Sequence, residues 1–106
     1  MDLSKSRDAC IECSTLCVQA ATHYLVKGDA EMRDTVRLLW DCSDACENTA
    51  RFLNRGSPSH REMCRACAII CSRCADGCET VADPIMAKCA ECCRRCAGLC
   101  LELTAH

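Results

Sequence analysis

The chain has 106 residues, 15 of them cysteine, three aromatic side chains (Tyr24, Trp40 and Phe52), and a formal net charge of −2 with a pI near 5.9. Lys and Arg are scattered, which excludes the concentrated basic surface that nucleic acid requires, and no apolar run approaches the ~18 residues of a membrane span. A single domain over residues 1–106 is expected at this length.

Breakers divide the chain into four helical patterns. The first, about 4–27, ends at Gly28-Asp29. Its inward face reads Leu3, Cys10, Cys13, Cys17, Ala20 and Tyr24. The second, about 29–54, presents Met32, Val36, Leu39, Cys42, Cys46, Ala50 and Leu53, and stops at Asn54-Arg55-Gly56-Ser57-Pro58. The third, about 58–82, presents His60, Cys64, Cys67, Cys71, Cys74, Cys78 and Val81. Pro58 is expected at its first helical position, with Ser59 and Glu62 as an alternative capping box. The fourth, about 84–104, follows Asp83-Pro84 and presents Ile85, Cys89, Cys92, Cys93, Cys96, Cys100 and Leu103. Short connections make neighbours antiparallel, so the fold class is all-α: an up-down-up-down four-helix bundle with a cysteine-lined core.

The spacing from Cys64 to Cys78 runs three, four, three, four, the rhythm of a core seam. Thiols stand where Leu or Ile would be expected. A thiol buries less apolar area than Leu, at ~25 cal/mol per Å², so packing alone does not account for the preference for sulfur. The cysteine count is odd, so full internal disulfide pairing is impossible. The first residues, Met1-Asp2-Leu3-Ser4-Lys5, lack the apolar stretch of a secretory signal. A cytoplasmic location, where thiols stay reduced, is the expectation.

Thiolate is a soft ligand that selects Cu(I), Zn(II) or iron–sulfur clusters. Charge favours Cu(I): one ion per thiolate is neutral, whereas Zn(II) with four thiolates carries −2, and buried net charge is costly. Cysteines at i and i+3 or i+4 face the same side of a helix, which suits low-coordinate Cu(I). Structural zinc needs a closed tetrahedron, and iron–sulfur sites usually draw their cysteines from loops. No catalytic constellation is visible, so no enzyme is expected. A copper metallochaperone, a zinc- or iron–sulfur-binding protein and a redox thiol protein stay open as alternatives.

With Cys64-x-x-Cys67-x-x-x-Cys71-x-x-Cys74-x-x-x-Cys78 and Cys89-x-x-Cys92-Cys93-x-x-Cys96-x-x-x-Cys100 in the last two helices, and Cys10, Cys13, Cys17, Cys42 and Cys46 in the first two, the chain resembles the cytosolic copper storage proteins. The resemblance spans essentially the whole chain. It implies reversible storage of multiple Cu(I) ions by all fifteen cysteines, and assembly into homo-oligomers, with a tetramer as the form suggested. Many relatives place His near the turn between the third and fourth helices, where this chain has Val81, Ile85 and Met86.

Two bundle ends are candidates for passing metal inward. One gathers His23, Tyr24, Met32, Met86 and Cys78, with thioether and imidazole as soft or borderline donors. The other is plugged by Leu3, Leu53 and Leu103, and carries His60 as the rival gate. The third and fourth helices hold ten of the fifteen cysteines, so the densest sulfur ladder is expected between them, with Cys42 and Cys46 contributing less.

Overall fold

A computed structural model describes residues 2–105. Its helices are α1 (Ser4–Lys27), α2 (Arg33–Asn54), α3 (His60–Glu79) and α4 (Pro84–Thr104), with a 3-10 turn at Ala30–Met32 leading into α2. They form a rod of 42 × 19 × 18 Å. Each helix packs beside its two neighbours in the order α1, α2, α3, α4 and back to α1. This is the antiparallel four-helix bundle that the short connections dictate.

Local chemistry explains the boundaries. Gly28 ends α1 at φ 69°, donating its N–H to the Tyr24 and Leu25 carbonyls. A residue with Cβ is strained in that left-handed region. Asp29 then caps the 3-10 turn, its carboxylate accepting from the Glu31 N–H at 3.1 Å. At the start of α4, Asp83 accepts from the Ile85 N–H at 3.1 Å, and Pro84 occupies the first turn as expected. The start of α3 departs from expectation. Pro58 lies in the turn and the helix begins at His60, because Ser57 organises the turn: its Oγ accepts from the Ser59 N–H at 3.1 Å, and its carbonyl from the His60 N–H at 3.2 Å. Ser59 makes no side-chain cap, so the capping box with Glu62 does not form.

All fifteen cysteines are buried and none is in a disulfide. Around them pack Val36, Leu39, Leu53, Met86 and Leu103, together with buried alanines from all four helices. Alanine leaves room for the helices to close on a core of small side chains. The positions assigned inward are buried throughout α2, while His60, Val81 and Ile85 at the ends of α3 and α4 are only partly so. The α1–α2 seam also holds a buried polar contact, Ser14 Oγ to Ser43 Oγ at 2.9 Å. No helix among the described residues is long and apolar enough to cross a membrane.

Candidate metal centre

Helical periodicity turns Cys10, Cys13 and Cys17 of α1 to one face, and the other helices do the same. The sulfurs therefore meet along the bundle axis. Four groups each bring four Sγ atoms within 4.8 Å of one another: Cys10, Cys67, Cys96 and Cys100; Cys46, Cys67, Cys71 and Cys96; Cys13, Cys42, Cys46 and Cys71; Cys13, Cys17, Cys42 and Cys93. Each group shares two sulfurs with the next: first Cys67 and Cys96, then Cys46 and Cys71, then Cys13 and Cys42. The column is thus a row of tetrahedra joined edge to edge.

Past the last group the sulfurs continue. Cys17 lies 3.6 Å from Cys89, and Cys74 lies 4.0 Å from Cys78. At the other end Cys64 is a further fully buried thiol of α3. Cys92 is the outlier, lining a groove between α1 and α4 beside Glu12 and Leu16.

The partnering differs from the sequence expectation in one respect. Sulfur–sulfur hydrogen bonds join α1 to α4, as in Cys10–Cys96 and Cys13–Cys93, both 3.6 Å. They also join α2 to α3, as in Cys42–Cys71 and Cys46–Cys71, both 3.5 Å. None joins α3 to α4 among the described residues, so the densest ladder is not between the two cysteine-rich helices. Cys42 and Cys46 stand at the centre instead. Cys42 reaches Cys13, Cys71 and, diagonally, Cys93 at 3.7 Å, while Cys46 reaches Cys67, Cys71 and, diagonally, Cys96 at 3.9 Å. Cysteine number per helix does not set the partners. The axial layer at which each thiol reaches the centre does.

Burial favours the neutral thiol. The Cys17 pKa is pushed far above the ordinary thiol range, first by hydrogen bonding with Cys13 and then by desolvation. Cys78 is pushed up in the same way, first by Cys74. Without metal, such groups hold their protons at neutral pH. Occupation by a cation requires their release.

At the end where α1 meets α4, Met86 is fully buried, and Met32 and Tyr24 nearly so. The Tyr24 hydroxyl donates to Asp83 Oδ2 at 2.5 Å. Desolvation and then this bond raise the phenol pKa to about 12. The Asp83 carboxylate is held below its usual range, first by the Tyr24 bond and then by the Ile85 N–H. His23 sits outside the column. Its ring meets Tyr24 edge-on, and its Nε2 is 4.0 Å from Asp83. At the opposite end His60 is half-buried, with its Nδ1 2.8 Å from the Ser57 carbonyl. Met63, also half-buried, is a soft donor on the first turn of α3 that the reading of inward positions passed over. Its place three residues after His60 was the available signal.

Comparison with known proteins gives a consistent picture. The family described as "Copper storage protein" matches residues 1–105. A cysteine-rich protein of Bacillus subtilis, YhjQ, is 30% identical over 103 residues, covering 92% of this chain and 95% of the relative. The cytosolic copper storage protein of Streptomyces lividans, solved with five coppers, superposes with a TM-score of 0.92 at 30% identity, over 98% of this chain and 92% of the other. The Cu(I)-bound copper storage protein BsCsp3 superposes with a TM-score of 0.91 at 28% identity, over 97% and 99%.

Proposed function

The chain belongs to the copper storage protein family, and we propose on that premise that its cysteines hold many Cu(I) ions at once inside one bundle domain spanning residues 1–106. The edge-sharing of the four-sulfur groups carries this reading. A thiolate that belongs to two groups is a bridging ligand. With each thiolate bridging two ions and each ion taking two sulfurs, capacity approaches one ion per cysteine, on the order of ten to fifteen per chain.

The same geometry weighs against zinc. Edge-sharing tetrahedra built on metal–sulfur bonds of about 2.3 Å place adjacent centres only about 3 Å apart. Two dications at that distance in a dry core repel strongly. Cu(I) carries half the charge per ion, and an equal number of thiolates neutralises it. A metallochaperone would need one accessible thiol pair, whereas all the thiols here are buried. The chain stores rather than transforms its cargo, since the thiols offer no single activated nucleophile, and it works in the cytoplasm.

Assembly into homo-oligomers, tetramers as the family resemblance implies, is supported by apolar side chains left on the outer surface. Ile11, Val18 and Leu25 recur every seven residues along α1, and Trp40 of α2 is 46% exposed. Light scattering at micromolar concentration tests this, and a monomer would refute it.

The storage reading is tested by anaerobic titration of the reduced chain with Cu(I) against a competing chelator. Uptake of about ten or more ions per chain is expected. Saturation at one or two would overturn the reading in favour of a chaperone, and preferential uptake of Zn(II) would overturn it in favour of zinc buffering.

A further inference from the structure

His60 opens α3 at the end of the bundle closed by Leu53 and Leu103. Its Nδ1 is 2.8 Å from the Ser57 carbonyl oxygen. A carbonyl can only accept, so Nδ1 carries the hydrogen and donates it. In the neutral ring the lone pair therefore lies on Nε2. That atom is buried from solvent and has no hydrogen-bond partner among the described residues. It is the one buried side-chain nitrogen or oxygen among them left in this state. A buried acceptor without a donor is costly, and a ring fixed through its other nitrogen to a backbone carbonyl is the arrangement that orients an imidazole toward a metal.

The first buried residue of α3 after it is a cysteine. Cys64, four residues on, shares the helix face of His60 and is fully buried. It belongs to none of the four-sulfur groups, but three residues on along the same face of α3 stands Cys67, a member of the terminal one. Cys64 thus extends the sulfur column by one donor toward the imidazole. Met63, half-buried at the intervening step, adds a thioether on the same side of the helix.

We propose that His60 Nε2 and Cys64 Sγ form a mixed imidazole–thiolate site for Cu(I) that terminates the thiolate column at the α3-start end. The proposal rests on the storage reading and adds a nitrogen-ligated ion to it. Binding changes no oxidation state. The Nε2 lone pair is donated to Cu(I), the Cys64 thiol gives up its proton to solvent, and the Nδ1–H stays on Ser57. The resulting unit is neutral overall, as a buried site requires.

The test uses the whole reduced chain labelled with ¹⁵N in its imidazoles, titrated anaerobically with Cu(I) while long-range ¹H–¹⁵N spectra are recorded. The His60 Nε2 resonance is expected to leave the position of an unprotonated imidazole nitrogen as copper is added, and thereafter not to titrate with acid. The exposed His23 should keep its metal-free position. His60→Gln, checked for unchanged helicity, should bind one Cu(I) fewer than the parent at saturation. A His60 Nε2 signal unmoved at full loading overturns the site, as does a folded His60→Gln chain with undiminished capacity. The two readings fail separately. Uptake of many ions without a His60 shift leaves storage standing and removes this site. Uptake of one or two ions accompanied by the shift removes storage and leaves this site.

Discussion

Cys42 of α2 and Cys93 of α4, on helices that face each other diagonally, hold their sulfurs 3.7 Å apart across the centre of the bundle. The contact joins the two halves of the sulfur column, since Cys42 also approaches Cys71 of α3 and Cys13 of α1. Cys46 repeats the arrangement a turn away, with Cys96 as its diagonal partner at 3.9 Å.

That placement gives Cys42 and Cys46 a larger share than cysteine numbers suggest. Replacing Cys42 and Cys46 with Ser removes donors from three of the four-sulfur groups at once. Replacing Cys78 and Cys92 with Ser touches none of them. Ser is close in size but a harder donor, so the helices should persist in both chains while copper capacity falls by about twofold more in the first, given the soft-ligand preference of Cu(I). Bound copper per chain at saturation is the measurement, with helicity by circular dichroism as the control. Equal losses would show that the shared edges do not organise the metal.

Copper loading should acidify the solution. The thiols of Cys17 and Cys78 are pushed up by hydrogen bonds and burial, and so carry protons at pH 7. Each must lose its proton on becoming a ligand. Anaerobic pH-stat titration at pH 7 should record proton release as these thiols are engaged, and apparent Cu(I) affinity should weaken as pH is lowered. Loading without proton release would mean that the metal-free core already holds thiolates.

The metal-free bundle should fold by itself. Its caps, short turns and aliphatic positions are independent of any ion, unlike small modules whose fold depends on zinc. Circular dichroism of the reduced chain should show a helical spectrum and a cooperative melt. Leu39→Ala, at a fully buried position in α2, should lower metal-free stability by about 2–5 kcal/mol. A coil spectrum that turns helical only with Cu(I) would contradict the independence of fold and cargo.

The Tyr24–Asp83 hydrogen bond ties α1 to the start of α4 and should respond to pH at both extremes. Tyr24 has its pKa raised to about 12, so its contribution is complete below the ordinary phenol range near 10 and is lost as pH rises toward 12. Asp83 has its pKa lowered, so its contribution is complete above the ordinary carboxyl range and is lost as pH falls through the depressed value. Tyr24→Phe should lower the melting temperature at pH 7, and the gap from the parent should close in strong acid. A gap constant from pH 7 down to strong acid would assign the loss to packing rather than to the bond.

Periodicity alone made the helices and their inward faces legible. The three–four alternation of Cys64 through Cys78 identifies one side of a helix whatever it packs against, because 3.6 residues complete a turn. Asp83-Pro84 and Gly28 could be read as boundaries because their backbone preferences are local. Pro58 could not, since Ser57 gathers two N–H groups and delays the helix to His60. The partners of each sulfur were equally hidden. Periodicity sets the face of a helix but not its axial offset from the other three, and that offset decides that Cys42 meets Cys93 and that α2, with two cysteines, occupies the centre. The same holds for His60. Its place on α3 marks it as an inward residue, but only the folded turn shows that Ser57 holds Nδ1 and leaves the Nε2 lone pair buried and unmatched.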